Sequence, residues 1–494
     1  MTAVATEFET VIGLEVHVQL TTRSKMFCAC STAYAGAAPN THVCPVCLGL
    51  PGVLPVINER AIEYIVMTGL ALNCKIAPFS KFDRKNYPYP DLMKGYQISQ
   101  FDLPVCQDGW LEIQVEGEAP RRAGITRVHM EEDTARLLHR TDPTTGEAYS
   151  LIDVNRSGTP LMEIVGEPDL RSPAEARDFL VRLRQVLRYI GVSDANMEEG
   201  NFRCDANISL RPHGSETFGT KVEIKNMNSF RAVHDALVFE QRRQAGILAA
   251  GGTIAQETRG WVDDTAETVS QRSKEEANDY RYFPEPDLPP LRLSEAFVEA
   301  VRARLPELPA ARLERLLGLG LSDYEASTIA EARERADYYD AVVAALGGEQ
   351  ERSAKLAANW VLGEVLRWLN TNAREITELP VTPERLAELI GLVEQGTVTQ
   401  AVAKDVFETM ATSGKSAPQV VEEGGLAQIS GSDELLAIVR RAIEANPKPV
   451  ADYQAGKEAA AKFLIGQVMR ETRGRANPAV VQDLLKAELD QTNV

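Results

Sequence analysis

Long hydrophobic runs and positive charge are both scarce in this sequence of 494 residues. No segment supplies the roughly 20 consecutive apolar residues of a membrane-spanning helix, so we expect no membrane contact. The 71 acidic residues outnumber the 53 basic ones and give a formal net charge of −18. This charge opposes broad attraction to phosphate backbones, because nonspecific binding depends on Lys and Arg displacing counterions. Any contact with nucleic acid must therefore use a local basic surface.

Cysteine is also sparse, and its seven residues are an odd number spread over a large chain. This distribution argues against a disulfide framework and predicts a reducing, cytoplasmic location. The first ten residues agree with that expectation. They carry Glu7 and Glu9 where a secretory signal has basic residues followed by an apolar run. We therefore expect no export.

The common nucleotide-binding motifs are missing from the sequence. The triplet Gly414-Lys415-Ser416 is not the end of a P-loop, because Thr409 occupies the place of the first glycine. No Gly-x-Gly-x-x-Gly segment opens a helix either. If the chain uses ATP, it must bind the nucleotide on a different scaffold.

The length predicts about three domains. Residues 8–292 mix short β-patterned runs with a few helices, which indicates an α+β fold, and the proline-rich residues 283–290 favour a boundary that leaves a first domain at 1–293. The pattern beyond is helical, and the break at 412–414 separates a helical domain at 294–412 from a helical tail at 413–494. We expect three units in this order.

Local signals predict individual helices and strands. Ser172, Pro173 and Glu175 form a helix start with a capping box, and Gly191 ends that helix. Further helices are predicted at 229–249, from Thr382 to Gly396, and after Asn477.

Residues 11–20 alternate apolar and polar side chains with a period of two, which is typical of a half-buried strand. Glu15 and His17 therefore share one face. Residues 203–211 repeat the pattern and place Asp205 and Asn207 together, as residues 222–225 do for Glu223 and Lys225. These polar strand faces are the first candidates for a functional site.

Several carboxylates join that set, together with possible cationic partners: Glu131, Glu132, Glu163, Arg84 and Lys85. Carboxylates and an imidazole on neighbouring strands suit Mg²⁺ and its bound phosphates, because hard oxygen ligands anchor a metal that neutralises a transferring phosphoryl group. The alternative is that these are ordinary solvated side chains on the polar face of a sheet. The pattern alone leaves both interpretations open.

Four of the cysteines are grouped as Cys28, Cys30, Cys44 and Cys47. Two thiolate pairs at this spacing can close a tetrahedral zinc site, and such tetrathiolate sites usually have a structural role. The alternative is four reduced cysteines in a small loop. Neither interpretation implies catalysis by these residues.

Long literal strings of the sequence carry a resemblance to a known family. They are residues 9–17 (ETVIGLEVH), 81–91 (KFDRKNYPYPD), 96–102 (YQISQFD), 129–133 (HMEED), 155–163 (NRSGTPLME), 197–200 (MEEG), 203–209 (RCDANIS) and 279–287 (DYRYFPEPD). These strings resemble the GatB family, which supplies one of the subunits of aspartyl/glutamyl-tRNA amidotransferases. The resemblance covers nearly the whole chain.

The resemblance implies a cradle domain with an antiparallel sheet, similar to glutamine synthetase and guanidino kinases, then an all-α helical domain and a YqeY-like tail. It also implies a ligase that forms carbon–nitrogen bonds with ATP and Mg²⁺. ATP phosphorylates the side-chain carboxylate of Glu-tRNA(Gln) or Asp-tRNA(Asn), and ammonia then displaces the phosphate. The four-cysteine insert at 28–47 is a structural zinc clip in this scheme, because only some family members have it.

Residue roles follow from the same resemblance. Glu15, His17 and Glu132 are implied magnesium ligands and, with Asp205, nucleotide-binding residues. Glu163 is a further acidic member of the catalytic set. The resemblance also places Lys85 where it neutralises phosphate and Tyr87 at the mouth of an ammonia channel, with Glu223, Lys225 and Asn226 as channel or pocket residues.

The resemblance implies partners as well. The chain has no Gly- and Ser-rich amidase signature and no nucleophile elbow, so a partner must release the ammonia. The resemblance implies that this partner is an amidase-type A subunit and that a small C subunit completes a heterotrimer. In the tail, residues 440–486 hold nine basic and five acidic residues, a balance of 9 − 5 = +4. This surplus predicts tRNA contacts by Arg470, Arg473 and Arg475, although an ordinary solvated helix face fits it equally. The rival hypothesis for the whole chain is a noncatalytic, zinc-stabilised tRNA-binding adaptor.

Overall fold

The computed structural model describes residues 8–273, 279–429, 432–455, 457 and 459–491. The chain divides into two compact units, Met1–Leu308 and Pro309–Val494. The first unit thus extends past the boundary predicted at residue 293. The reason is packing. Leu293 precedes the next helix and Val301 lies in it, and both side chains are buried in the core of the first unit.

The strands of the described residues all lie in the first unit. Their bounds are β1 Phe8–Gln19, β2 Lys75–Ile76, β3 Phe79–Ser80, β4 Asp83–Asn86, β5 Tyr96–Ser99, β6 Cys106–Ile113, β7 Arg121–Glu132, β8 Arg136–Thr141, β9 Ala148–Asp153, β10 Pro160–Gly166, β11 Phe202–Pro212, β12 Val222–Met227, β13 Glu257–Val262, β14 Glu267–Ser273, β15 Phe283–Pro284 and β16 Leu291–Arg292.

Helices α1 to α4 lie in the first unit and the remainder in the second. Their bounds are α1 Glu59–Ala71, α2 Pro173–Tyr189, α3 Phe230–Ala249, α4 Glu295–Arg302, α5 Pro309–Gly318, α6 Asp323–Ala330, α7 Arg333–Leu346, α8 Gln350–Trp360, α9 Leu366–Asn372, α10 Pro383–Glu394, α11 Gln400–Ser413, α12 Ala417–Gly424, α13 Ser432–Ala445, α14 Pro447–Gln454, α15 Ala459–Glu471 and α16 Pro478–Gln491. A π-helical turn, Val361–Val365, joins α8 to α9. A short 3-10 turn, Ile376–Glu378, follows α9.

A nine-stranded sheet in the order β14-β13-β12-β11-β1-β10-β7-β6-β2 dominates the first unit. Neighbouring strands run antiparallel except for β12 and β13, which are parallel. Three smaller sheets accompany it: β15-β4-β5, β16-β3 and the hairpin β8-β9. The predicted α+β class, with a large and mainly antiparallel sheet, is confirmed.

Helices α1, α2 and α3 cover one face of the large sheet. The apolar side chains of β1, including Leu14, Val16 and Val18, point into this layer and are buried in one core with the helices. Because strand side chains alternate, Glu15 and His17 point to the opposite face. The predicted period of two in β1 is therefore confirmed, and it separates the core from the candidate site.

The helix signals of the sequence appear in the structure with one change. Ser172 caps α2, since its side chain accepts from the backbone N–H of Glu175 at 3.1 Å. The reciprocal bond of the predicted capping box is displaced by one residue, because the Glu175 carboxylate accepts from the backbone N–H of Arg171 at 2.6 Å rather than from Ser172. Gly191, with φ of +69°, ends the helix in the left-handed conformation that glycine adopts without strain.

The second unit is helical throughout its described residues and contains two hydrophobic cores. One is formed by α5 to α12 and the other by α13 to α16. Helix α12 lies beyond the boundary predicted at residue 413 but packs into the first core through Ala417, Val420 and Val421. Within the described part of the chain, no helix combines the length and apolarity that crossing a bilayer requires.

Glu240 carries a buried charge that joins α3 to the edge of the large sheet. Its side chain is fully buried and lies 2.9 Å from Nε of Arg243 and 3.0 Å from Nε of Arg259 in β13. Thr268 of β14 donates a further hydrogen bond to it. Because a buried ion pair that loses one partner leaves the other charge uncompensated, this carboxylate is central to the stability of that edge.

We expect Glu240→Ala to lower the free energy of unfolding by roughly 3 kcal/mol, the range for a buried pair that loses one partner. Urea denaturation followed by circular dichroism measures the change. The control is Glu299→Ala, which removes the exposed pair of Glu299 and Arg302 on α4 and costs less than about 0.5 kcal/mol. Equal effects of the two substitutions would contradict the assignment.

Candidate active site

The face of the large sheet opposite helices α1, α2 and α3 is called the open face. The strand register places polar side chains in rows across it. Glu163 of β10 pairs with His17 of β1 on one side and with His129 of β7 on the other, and His17 in turn pairs with Arg203 of β11. Directly paired residues on antiparallel strands point to the same face. These four side chains therefore form one continuous row, although they come from four separate sequence segments.

His17, Glu131 and Glu163 converge within this face. Their candidate ligand atoms all lie within 4.8 Å of one another. Nε2 of His17 is 3.8 Å from Glu131 and 3.6 Å from Glu163, and Nε2 of His129 is 3.1 Å from Glu163. Two carboxylates and an imidazole form a donor set that fits a hard divalent cation such as Mg²⁺.

Glu131 is held by side chains from the small sheet β15-β4-β5. Nε2 of Gln97 donates to one carboxylate oxygen at 3.0 Å, and Oγ of Ser99 donates to the other at 2.8 Å. Nζ of Lys85 on β4 lies 3.5 Å from Glu131. The carboxylate is consequently fixed in position by two neutral donors and one cation.

The cluster contains charged groups that stabilise one another despite burial. Burial raises the pKa of the Glu131 and Glu163 carboxyl groups, but nearby cations outweigh this effect. Lys85 and His129 hold the pKa of Glu131 well below its usual value. His129 lowers the pKa of Glu163 to about 2. Burial lowers the pKa of His129, yet Glu163 and Glu131 raise it to about 9. Burial also lowers the pKa of Lys85, but Glu131 outweighs this effect and raises it. The site holds two carboxylates and two cations at neutral pH.

Glu132 does not face this cluster, in contrast to the predicted ligand set. It follows Glu131 in β7, and successive strand side chains point to opposite faces. Its carboxylate accepts from the backbone N–H of Ile98 at 3.0 Å and pairs with Lys94. Glu131 takes the place in the cluster that the sequence interpretation gave to Glu132. The period of two in residues 127–132, which puts His129 and Glu131 on one face, is the signal that could have identified it.

Glu15 and Asp205 form a second row beside the cluster. They pair directly across β1 and β11. Glu15 accepts a hydrogen bond from Nδ2 of Asn207 at 3.0 Å, and Asp205 pairs with Lys225 of β12. Glu15 and Asp205 therefore lie on the predicted face of the sheet. They are in the row next to that of His17, and their carboxylates are not among the ligand atoms that converge at His17, Glu131 and Glu163. Lys225 also lies 3.4 Å from Glu223.

Aromatic side chains line the edge of the cluster next to Lys85. Tyr87 packs edge-to-face on Tyr280, with 5.6 Å between ring centroids, and its hydroxyl lies 3.5 Å from the amide oxygen of Gln97. Burial raises the pKa of the neighbouring Tyr282 to about 12. Of the predicted pocket residues, Lys85 lies 3.5 Å from Glu131, and Tyr87 contacts Gln97, which donates to Glu131. Arg84, by contrast, points away and pairs with Glu285.

The four predicted cysteines converge as well. The Sγ atoms of Cys28, Cys30, Cys44 and Cys47 all lie within 4.8 Å of one another, which fits a tetrathiolate zinc site. The thiols share their protons unequally: the hydrogen bond between Cys28 and Cys47 lowers the pKa of Cys47 and raises that of Cys28, and burial raises the pKa of Cys30. Cys28 and Cys47 also line a small cavity with Lys94 and Glu132, so the cysteine cluster lies behind β7, on the side opposite Glu131.

The three predicted tRNA contacts in the tail differ in their surroundings. Arg470 and Arg473 are exposed. Arg475 is partly buried, and its guanidinium donates to the backbone oxygens of Thr472 and Gly425. Other basic residues of the segment are paired, such as Arg440 with Glu488. Glu458, one of the acidic residues in the predicted charge balance, lies outside the described residues.

Comparison with known proteins identifies the family. The model of the GatB/GatE catalytic domain matches residues 10–299, and that of the GatB domain matches residues 337–489. The chain is 56% identical to a protein of Dehalococcoides mccartyi strain CBDB1 over 98% of this chain and 100% of the relative. It is 57% identical to a protein of Thermomicrobium roseum over 98% of this chain and 99% of the relative. Both relatives are named as the B subunit of aspartyl/glutamyl-tRNA(Asn/Gln) amidotransferase. The chain belongs to the GatB family.

Proposed function

We propose that this chain is the ATP-using subunit of a tRNA-dependent amidotransferase, a ligase that converts Glu-tRNA(Gln), Asp-tRNA(Asn) or both into the amidated forms. Full-length similarity to relatives that are named as a component of such an enzyme supports this function. The single observation that carries the chemistry is the cluster of His17, Glu131 and Glu163 beside Lys85. It lies within the segment that matches the catalytic domain.

The reaction has two steps. An oxygen of the substrate carboxylate attacks the γ-phosphorus of ATP, so that a new P–O bond forms while the bond to ADP breaks. Ammonia then attacks the carbonyl carbon of the acyl phosphate, phosphate leaves with the C–O bonding electrons, and the nitrogen loses a proton to give the amide. Positioning and charge neutralisation are the protein's main contributions to such phosphoryl transfer.

The residues of the cluster have distinct roles in this scheme. His17, Glu131 and Glu163 would hold Mg²⁺, which when bound neutralises charge on the phosphates. Lys85 supplies a fixed positive charge next to Glu131 for the developing phosphate charge. Glu15 and Asp205 extend the acidic face along which nucleotide and substrate would bind. Tyr87 borders the path by which ammonia would enter.

The finer features carried over from the resemblance are part of the same proposal. We propose a cradle similar to glutamine synthetase around the open face of the sheet, and a YqeY-like tail that contacts tRNA through Arg470 and Arg473. Ammonia would come from an amidase-type A subunit in a heterotrimer with a small C subunit, acting in the cytoplasm. A noncatalytic adaptor explains the site less well, because it has no use for buried carboxylates that converge.

We expect Glu163→Gln to reduce the ADP formation that depends on mischarged tRNA by about 100-fold or more. Loss of one electrostatic contact to a transition state typically has an effect of this size. The assay uses the complex reconstituted with its partner subunits, Glu-tRNA(Gln) or Asp-tRNA(Asn), and glutamine. Glutamine hydrolysis and tRNA binding should persist.

The matched control is Glu112→Gln, which changes an exposed carboxylate on β6 of the same sheet and should leave ADP formation unchanged. Wild-type ADP formation by the Glu163→Gln complex would move phosphoryl transfer to another site. The adaptor would then be the better description of this chain.

The cysteine cluster is proposed as a structural zinc site. We expect about one zinc ion per purified chain, because four converging thiolates form a closed tetrahedral site. Cys44→Ser should lower the zinc content and the midpoint of thermal unfolding, measured by atomic emission and calorimetry. Cys204→Ser, which changes a buried cysteine outside the cluster, should retain zinc. A zinc-free chain with unchanged stability would instead establish four reduced cysteines.

A further inference from the structure

A short segment, residues 279–283, lies across β4 and covers Lys85; we call it the aromatic strap. It contains Tyr280, Tyr282 and Phe283. Its last residue begins β15 and pairs with Arg84 of β4. The strap therefore runs beside the strand that carries Lys85 into the catalytic cluster.

Asn86, at the end of β4, binds the strap through backbone oxygens. Its backbone N–H donates to the carbonyl oxygen of Tyr280 at 2.9 Å, and its side-chain Nδ2 donates to the carbonyl oxygen of Arg281 at 2.9 Å. The side-chain amide thus acts on the backbone of the strap. Together with the pairing of Phe283 to β4, these bonds fix both ends of the segment that contains the two tyrosines.

Arg281 adopts an unusual backbone conformation between the two tyrosines. Its φ is +45°, in the left-handed region that non-glycine residues seldom occupy. Such strain persists only where surrounding contacts impose it, and it is concentrated at functional sites. Here the hydrogen bond from Asn86 and a bond from the backbone N–H of Arg281 to the side chain of Asp279 at 3.0 Å supply those contacts.

The result is an aromatic surface against the Lys85 ammonium. Nζ of Lys85 lies 5.3 Å from the centroid of the Tyr280 ring and 3.5 Å from Glu131. The Tyr280 ring is itself packed edge-to-face against Tyr87 and Tyr282, with centroid distances of 5.6 and 6.0 Å. Phe101 stacks on Tyr282 at 4.2 Å and supports the group from outside.

We propose that Tyr280 is a positioning residue that holds the Lys85 ammonium against Glu131 for phosphoryl transfer. A lysine side chain is flexible, so a charge that must lie at one place needs a second contact besides its carboxylate. The face of an aromatic ring provides that contact by cation–π attraction without competing for the carboxylate. This inference rests on the proposed function, since it gives Lys85 its task.

The first test compares Tyr280→Phe with Tyr280→Leu in the reconstituted complex. We expect Tyr280→Leu to lower the single-turnover rate of ADP formation about tenfold, because it removes a desolvated cation–π contact. The KM values for ATP and mischarged tRNA should stay within about twofold, because Lys85 acts on the developing charge of the transition state. Tyr280→Phe retains the ring and should keep the wild-type rate.

Phe283→Leu is the matched control, because Phe283 lies on the same strap but its ring is near Arg84 rather than Lys85. It should leave the rate unchanged. Equal losses in Tyr280→Phe and Tyr280→Leu would assign the role to the hydroxyl and overturn the proposal. A normal rate in Tyr280→Leu, or an equal loss in Phe283→Leu, would overturn it as well.

A second measurement separates this inference from the proposed function. Lys85 is acylated with an N-hydroxysuccinimide ester of acetate in the full chain, and mass spectrometry follows the rate. Tyr280→Leu should raise the rate several-fold, since the ammonium is released from the ring, whereas Tyr280→Phe should not. If Glu163→Gln leaves ADP formation intact, the proposed function fails while the acylation rates still decide the contact. Unchanged acylation in Tyr280→Leu shows that the ring does not hold Lys85.

Discussion

Two carboxylates buried side by side, Glu131 and Glu163, are the constraint on which the rest of the first unit depends. Like charges at this separation repel strongly where water is excluded. The structure opposes that repulsion with the cations His129 and Lys85 and with the imidazole of His17, each of which lies 3.1 to 3.8 Å from one carboxylate or the other. A divalent cation bound by the same oxygens would add to this compensation, and the proposed chemistry requires one.

Strand β7 joins this cluster to the structure behind it. Its consecutive residues Glu131 and Glu132 point to opposite faces, and strand β5 binds both: Gln97 and Ser99 donate to Glu131, and the backbone N–H of Ile98 donates to Glu132. The cavity beside Glu132 is lined by two of the clustered cysteines. A structural zinc ion bound there would therefore stabilise β7 on the side opposite Glu131 without taking part in the reaction.

The small sheet β15-β4-β5 has a corresponding task on the open side. It brings Lys85 and Tyr87 to Glu131, and β15 follows the aromatic strap at 279–283. The strap is more than 190 residues from β4 along the chain. The strap lies within residues 10–299, the segment that matches the GatB/GatE catalytic domain.

The sequence by itself determined the α+β class, the helical second half, the starts of α2, α3 and α10, and the shared face of Glu15 and His17. These features depend on local periodicity and capping, which act within a few residues. The family resemblance, carried by literal strings, was confirmed by the comparisons. The spacing of the four cysteines alone already indicated a cluster.

Only the tertiary structure decided which acidic residues meet. The alternation in residues 127–132 puts His129 and Glu131 on one face, but only pairing between distant strands brings that face to His17 and Glu163, because register is set across the sheet. The burial of His129 and the contact of the strap with Lys85 could not be predicted from the sequence, since they depend on contacts between segments far apart. The same limit applies to the domain boundaries. Tertiary packing decides which hydrophobic core α4 and α12 belong to, whereas the predicted boundaries were placed at local breaks in the sequence.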